Sequence, residues 1–317
     1  MSNVEQLFTR LGSEIDLGRS KIKPYEGFIF LCGGPTDIQS PEPVSIRDSI
    51  CRELAKDAKI YQRISIAENF KSWNQDSVYK DLLEFEKHLA ELSSLIVVVL
   101  ESAGSIAELG LFSVIEEFQK KLLIFIDSSH YKEDSFIKYG PISFLENAHN
   151  NMASCHIWLK SVGSGAKKSF DSDAAQSITS DLVEEIHGRL KKVGKEMLFK
   201  KDEWLHCALL ICDVLNLMSA LTIREIKDFL GKINIRKTES EIRQIIFMLK
   251  LVGMITMEPK GEQRFYVAIK NDLFLSLQLA SIEFDLDRFR SDVLSAYSNG
   301  DRKRFKVIQS VRAANGN

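Results

Sequence analysis

Residues 94–112, SLIVVVLESAGSIAELGLF, decide how the first half of this chain reads. An uninterrupted apolar run, residues 95–100, stops at Glu101. Small residues follow, and a helical spacing resumes near Ser105 with a second acid, Glu108. A wholly apolar strand of this length fits a sheet covered on both faces. The neighbouring segments repeat the pattern. GFIFLCGG (27–34) predicts a buried strand ending in a glycine turn, and SIRDSICRELAKD (45–57) a helix with apolar spacings of three and four. YQRISIAENF (61–70) predicts a second strand with its following loop, YKDLLEFEKHLAELSS (79–94) an amphipathic helix, SIAELGLFSVIEEFQKK (105–121) a helix and LLIFID (122–127) a strand. Alternating strands and helices imply an α/β fold, with a Rossmann-like parallel sheet flanked by helices and right-handed crossovers. Ligands of such sheets bind outside the carboxyl ends of the strands. Gly33 and Gly34, Glu68 and Asn69, and the stretch from Glu101 to Glu108 all fall at those ends.

The second half has a different texture. KSVGSGAKKSFDSDAAQSITSD (160–181) has the composition of a linker. Helices are then expected over 181–201, 203–218, 222–231 and 238–255; Thr222 with Glu225, and Thr238 with Glu241, have the spacing of capping boxes. MITMEPKGEQRFYVAI (254–269) predicts two short strands around a turn at Pro259, Lys260 and Gly261. Helices followed by a β-hairpin give the element order of a winged helix, and a basic helical tail closes the chain at 284–312. The expected domains are a catalytic α/β domain at 1–160, a linker with connecting helix at 161–200, and a mostly helical winged-helix-like domain at 201–317.

Composition narrows the class. The chain has 317 residues, 44% hydrophobic and 27% charged, with a formal net charge of −2, so no global field marks a nucleic-acid or membrane binder. The longest apolar run falls well short of the ~20 residues needed to span a bilayer. The N-terminus carries acids and lacks the apolar core of a signal peptide. The five cysteines are scattered, none in a CxxC pair, as suits reduced thiols in the cytoplasm. No HExxH or Cys/His cluster proposes a metal.

Two readings compete for residues 101–108. In the first, Ser105 caps the helix and Glu108 closes a capping box, with Gly104 as the turn residue. In the second, Glu108 lies in the first turn of the helix, ionised by the positive end of the macrodipole. The amides around Gly104 and Ser105 then face an anion or sugar hydroxyls. Glu101, across the same cleft, holds ribose hydroxyls. An anion beneath C1′ suits the oxocarbenium-like transition state of N-glycosidic cleavage.

IFLCGG together with VVVLESAGSIAELGLFS resembles the nucleoside 2-deoxyribosyltransferase-like superfamily. With SFIKYGPISFL (135–145), these segments resemble the effector proteins of retron anti-phage systems that carry this domain, over roughly residues 25 to 150. The resemblance implies Glu108 as nucleophile and Glu101 in the place of a sugar-contacting Asp. It also implies substrate contacts at Gly33, Gly34, Glu68 and Asn69 and places Tyr139 in a segment shared among these effectors, while Ser102, Gly104 and Ser105 are expected to meet substrate from the strand–helix junction. Cleaving a neutral base calls for a general acid, and no histidine is near residues 101–108 in sequence; His88 reads as a surface residue of a charged helix. The nicotinamide of NAD is already cationic and leaves unaided. Effectors of this kind resemble toxins that hydrolyse NAD, so the resemblance, with this chemistry beside it, implies NAD as the expected substrate, with no cofactor. Nucleoside or nucleotide hydrolysis, base exchange, and a non-catalytic nucleotide-sensing DNA-binding regulator remain as alternatives.

Between residues 201 and 270 there are 11 Lys and Arg against 9 Asp and Glu, a weak basic balance for a free-standing DNA binder. The cations nevertheless cluster. Arg236, Lys237, Arg243 and Lys250 fall in or before the candidate recognition helix, and Lys260 and Arg264 in the hairpin. Lys191, Lys192, Lys195, Lys200 and Lys201 form a second group, and Arg302, Lys303, Arg304 and Lys306 a third. All are candidate phosphate contacts. The resemblance implies the retron reverse transcriptase and its msDNA as restraining partners, a homo-oligomer or a filament with that complex, and no membrane.

Overall fold

The computed structural model describes residues 3–66, 78–149, 155–158, 171–191 and 194–314. In chain order the elements are α1 (Asn3–Glu14), β1 (Ile15–Ile22), β2 (Phe28–Cys32), α2 (Ile46–Leu54), α3 (Ala58–Tyr61), β3 (Ile64–Ser65), α4 (Leu82–Glu91) and β4 (Ser93–Val99). There follow α5 (Ala103–Ser113), α6 (Glu116–Gln119), β5 (Leu122–Asp127), α7 (Ser128–Lys132), a π turn (Lys138–Ile142), α8 (Ser143–His149), β6 (Cys155–Trp158) and α9 (Ser172–Leu190). The chain ends with β7 (Met197–Leu198), α10 (Trp204–Leu217), α11 (Ile223–Lys232), α12 (Glu239–Leu251), β8 (Ile255–Lys260), β9 (Gln263–Ala268), β10 (Leu275–Leu279), α13 (Leu286–Gly300) and α14 (Arg302–Ala314). They form two compact units. One holds residues 26–75 and 81–193, the other residues 1–25, 76–80 and 194–317.

In the first unit five parallel strands lie in the order β3-β2-β4-β5-β6. The apolar runs that predict strands are buried on both faces: Ile29, Phe30 and Leu31 of β2 and Val97, Val98 and Val99 of β4 have no exposed surface. The two-residue period of a strand divides them. Ile29, Leu31, Val97, Val99, Leu123 and Phe125 pack with Ile46 and Ile50 of α2 and Leu182 and Ile186 of α9. On the other face Phe30 meets the ring of Phe112, and Phe112 that of Phe118. The chain leaves β2 for β3 on one side and returns past β2 to β4 on the other. The strand order therefore reverses between β2 and β4, and a crevice opens at their carboxyl ends.

The unit boundaries differ from the expected divisions at 160 and 200. Residues 172–190, placed in a linker and connecting helix by their polar, small composition, form α9. Its apolar residues Ala175, Ile178, Leu182, Val183 and Ile186 cover the sheet. The expected helix over 181–201 ends at Leu190, so Lys191, Lys195, Lys200 and Lys201 do not share a helix, and Lys192 lies outside the described residues. At the other end, the first 25 residues belong to the C-terminal unit: β1 pairs antiparallel with both β10 and β7.

In the C-terminal unit α10 is apolar nearly all round and buried; α12, α13 and β9 pack against it, and α11 packs on α12. Both expected capping boxes form: Glu225 accepts from the Thr222 amide at 2.8 Å and Glu241 from the Thr238 amide at 2.7 Å. The β8–β9 hairpin turns at Gly261, whose φ of +65° favours glycine, two residues beyond Pro259. The expected basic tail divides into α13 and α14. Arg304 is not a surface cation. It is buried, bonded to Glu225 at 2.6 Å, Asp301 at 3.1 Å and the Ala220 carbonyl at 3.0 Å, and its guanidinium lies over the rings of Tyr297 and Phe265. Among the described residues no helix is long and apolar enough to cross a membrane.

Candidate active site at the carboxyl edge of the parallel sheet

The helix after β4 starts one turn earlier than its sequence suggests. Ser102 is the N-cap of α5, its hydroxyl accepting from the Ser105 amide at 3.1 Å, while the Ser105 hydroxyl accepts from the Ser102 amide at 3.2 Å. This Ser-x-x-Ser pair closes the capping box expected of Ser105 and Glu108. Glu108 is thus the sixth residue of α5, with no acid in its first turn. The macrodipole falls off within that first turn, so it does not account for the character of Glu108. What lies beside Glu108 is the buried end of β2. Burial pushes the Cys32 thiol well above its ordinary pKa. The Glu108 carboxylate adds to the rise, first by its charge and also by a side-chain hydrogen bond; Glu86 of α4 raises it further and Arg47 opposes it. Cys32, Glu86 and Arg47 are themselves buried. The carboxyl end of β2 therefore gathers two acids, one arginine and a neutral thiol, all buried except Glu108, which is half-buried.

Glu101 has a different place. Its Oε1 accepts from the amides of Gly34 and Arg47, both at 2.9 Å, and its Oε2 from the Ile46 amide at 2.9 Å. Ile46 and Arg47 open α2, so Glu101 occupies the anion site that a glycine loop and a helix N-terminus normally present. Both glycines are needed for this approach. A Cβ on Gly34 would stand 2.9 Å from Glu101 Cδ and 2.9 Å from Ser45 Cβ, and one on Gly33 2.9 Å from Arg47 Cβ. The Ser102 hydroxyl also donates to the Gly33 carbonyl at 2.9 Å, which ties the N-terminus of α5 to the same loop. Glu101 therefore braces β2, α2 and β4 together, with both carboxylate oxygens engaged by backbone. The expected grip on ribose hydroxyls is not the role this geometry gives it. Gly33 and Gly34, expected to line the base or phosphate region, cradle that carboxylate.

The remaining expected residues scatter. Gly104 is exposed at the second position of α5. Tyr139 is 61% exposed, its hydroxyl donating to Asp134 at 2.7 Å and its ring beneath the Lys138 ammonium. Glu68 and Asn69 lie outside the described residues. His88, read as a surface residue, is 7% exposed, because α4 turns that side of its helix inward with Phe85, Glu86 and Leu89. Of the expected phosphate contacts, Arg236, Lys250, Lys260 and Arg264 are exposed. Arg243 pairs with Glu239 at 2.6 Å and Lys237 with Glu241 at 3.4 Å. The candidate recognition helix α12 buries Ile242 and every residue from Gln244 to Leu249, which leaves Arg243 and Lys250 as its exposed cations.

Sequence reading missed Cys32, Arg47, Glu86 and Asp127. Asp127 carried a visible signal: it ends the apolar run LLIFID as Glu101 ends LIVVVL, and it is buried at the carboxyl end of β5. Glu86 had none, for EFEKHLAE alternates charge in a way that reads as a solvated face.

Comparison with known proteins extends the picture. An Escherichia coli protein of retron Ec86, whose name proposes ribosyltransferase and DNA-binding roles, is 30% identical over 176 residues, 55% of this chain and 53% of that protein. This alignment spans about half the length of the relative. The corresponding protein of retron Ec73, also from Escherichia coli and similarly named, is 25% identical over 254 residues, 76% of this chain and 75% of that protein. The family model described as STM3845 retron effector protein matches residues 43–257, which run from the start of α2 to the hairpin of the C-terminal unit. The chain belongs to the STM3845 retron effector family.

Proposed function

We propose that the chain is the toxin of its retron defence system, an N-glycosidase that cleaves the nicotinamide–ribose bond of NAD with Glu108 as the group facing C1′. The observation that carries this reading is the Ser102–Ser105 capping pair, which keeps the Glu108 carboxylate out of the helix cap at the carboxyl edge of the sheet. The ribosyl-transfer role in the relatives' names supports the same bond chemistry. In the reaction C1′–N1 breaks and its electron pair passes to the pyridinium nitrogen, giving neutral nicotinamide. The carboxylate stabilises the oxocarbenium-like centre or bonds to it transiently. Water then forms the new C1′–O bond and releases one proton. No acid is needed for this leaving group, and no cofactor enters.

The C-terminal unit, read as a winged helix, would meet phosphates through Arg236, Lys250, Lys260 and Arg264. The retron reverse transcriptase and its msDNA would restrain the toxin, with self-association or a filament as the assembled form. The DNA-binding role in the relatives' names favours this use of the unit. The test is to incubate purified protein, alone and with the retron complex, with NAD and with deoxynucleosides, and to follow nicotinamide and free base by chromatography. Nicotinamide release by wild type, lost in a folded Glu108→Gln variant, is the expected result. Intact NAD with base released from deoxynucleosides would replace this reading with nucleoside hydrolysis or base exchange. Full growth arrest by Glu108→Gln would leave a non-catalytic sensor.

A further inference from the structure

The C-terminal unit contains a cavity of about 500 Å³, lined wholly by its own residues, between the end of α10, the end of β9, α13 and α14. Its walls combine aliphatic side chains, Val267, Ile269, Ile308 and Val311 among them, with two guanidinium groups, Arg290 and Arg312. Arg290 is held firmly. Its Nη2 donates to the Asn216 side-chain oxygen and, at 3.1 Å, to the Asn271 carbonyl, and its Nη1 to the largely exposed Asp287 at 3.0 Å. Its Nε, however, is buried without an acceptor. That Nε has no surface open to a ligand, so Arg290 contributes its charge to the cavity and not this donor. Arg312 is exposed and meets no partner among the described residues.

A third feature is backbone. Tyr266 directs both its N–H and its C=O away from β8, onto Leu221, at 2.8 and 3.1 Å. Two residues on, the strand's alternation turns the N–H and C=O of Ala268 the same way. Ala268 lines the cavity, and there these two groups meet no partner among the described residues. The cavity wall thus presents the backbone pair of one residue, Ala268, between Tyr266, bonded to Leu221, and Lys270, whose carbonyl accepts from the Asn216 side chain at 2.8 Å, beside guanidinium and aliphatic groups.

We propose that this cavity is a docking site for an extended segment of another polypeptide, carrying a carboxylate beside an aliphatic side chain. The Ala268 N–H and C=O can form one pair of main-chain bonds to an extended segment. The unpaired guanidinium of Arg312, in a lining that also carries the charge of Arg290, matches a carboxylate, and the aliphatic wall takes its neighbour. No aromatic side chain lines the cavity, so a nucleobase finds no stacking platform. No lysine lines it either, so phosphate capture would rest on the same two arginines.

The test is selection of a phage-displayed library of random seven-residue peptides on the immobilised full chain. The most enriched sequence is then synthesised with a fluorescent label and titrated by anisotropy. Enriched peptides are expected to share an Asp or Glu next to Leu, Ile or Val. Their affinity should fall at least tenfold when the acid is replaced by its amide, and at least tenfold in Arg312→Glu. Because Arg312 is exposed, that variant should melt like wild type; Ile308→Glu, which places a charge in the wall, should also abolish binding. Absence of enrichment, enrichment without an acid, or binding indifferent to Arg312→Glu would overturn the proposal. Displacement of the peptide by a ten-residue oligothymidine, with direct oligonucleotide binding that depends on Arg312, would make the site one for nucleic acid.

Discussion

Replacing Glu101 by glutamine separates a brace from a substrate contact. The carboxylate receives three backbone N–H groups, from Gly34, Ile46 and Arg47, each at 2.9 Å. Hydrogen bonds to a charged group contribute about 1.5–3 kcal/mol each. In Glu101→Gln the carbonyl oxygen can still accept from Gly34 and Arg47, though without the charge, while the new NH2 faces the Ile46 N–H, donor against donor. Weakening two bonds and reversing a third costs roughly 3 kcal/mol, with water relieving part of the loss at this half-buried site. That is a large share of the roughly 5–15 kcal/mol of a typical domain. At a urea dependence of about 2 kcal/mol/M the midpoint falls by roughly 1.5 M. Urea unfolding followed by circular dichroism measures the total. Hydrogen exchange of peptides covering residues 29–50 measures the place, since the Gly34, Ile46 and Arg47 amides should lose protection in the variant. A sugar contact predicts the opposite pattern: unchanged stability and exchange, with only turnover reduced. A variant within about 0.5 kcal/mol of wild type and with unaltered protection would refute the brace.

Three further outcomes follow from the same geometry. Gly34→Ala puts a Cβ 2.9 Å from Glu101 Cδ and should cost roughly 1–3 kcal/mol by overpacking; in the double variant with Glu101→Gln the losses should add to less than their sum, which a double-mutant cycle reads directly. Cys32, its thiol pushed up by burial and by Glu108, should resist iodoacetamide at pH 8 in the folded protein while the half-buried Cys51 reacts; mass spectrometry showing equal labelling would contradict this. Asp213 is pushed up to about 7 by burial, against the pull of the Phe274 and Leu275 amides that donate to it at 2.8 Å. The folded state then holds a proton that the unfolded chain releases above pH ~4. The Asp213 contribution to the stability of the C-terminal unit is therefore fully present below that pH and is lost, by about 4 kcal/mol, as pH rises to about 7. Asp213→Asn should flatten this part of the urea-midpoint profile, and an unchanged slope would remove Asp213 as its source.

The strands of the sheet were legible because their signal is hydrophobic and local. Residues 95–100 and 122–126 are apolar throughout, as burial on both faces of the sheet requires. The capping boxes at Thr222 and Thr238 were legible for a similar reason: three-residue spacings are short-range chemistry. The start of α5 was misread because Ser102 and Ser105 both satisfy a cap, and Glu at the third position favours Ser105 in any local rule. The choice is made by Ser102, which also donates to the Gly33 carbonyl, 69 positions away in sequence. Glu101 shows the same limit, since its three amide partners lie 54 to 67 positions upstream. Helix α9 was hidden by composition: Ala, Ser, Thr and Asp around a few apolar residues resemble a linker until Ile178, Leu182 and Ile186 are seen on one face. Arg304 counts as a basic tail in sequence, and only its partners Glu225 and Asp301 make it part of the core.

The two acids that close the β4 strand–helix junction are therefore not two versions of one device. In doubly wound folds the first glycine loop and the helix after it ordinarily receive a phosphate. Here Glu101 fills that place from within, so a phosphate approaching Gly34, Ile46 and Arg47 meets a negative charge and amides already engaged. If NAD is the substrate, its pyrophosphate must then lie away from the start of α2, and the sugar to be cleaved is left nearer to α5. Because the cap is closed by Ser102 and Ser105, Glu108 sits one turn further along α5, half-buried beside the buried Cys32 and Glu86. In such surroundings a carboxylate acts on a developing cation far more strongly than in water. The brace and the acid are linked through the Gly33 loop, which receives the Ser102 hydroxyl and carries the Glu101 contacts. Loosening Glu101 should thus reach Glu108 through the N-terminus of α5. If Glu108 is the group that faces C1′, as proposed, Glu101→Gln should then lower turnover through the position of α5, with Gly33 and Gly34 acting on it through the same brace.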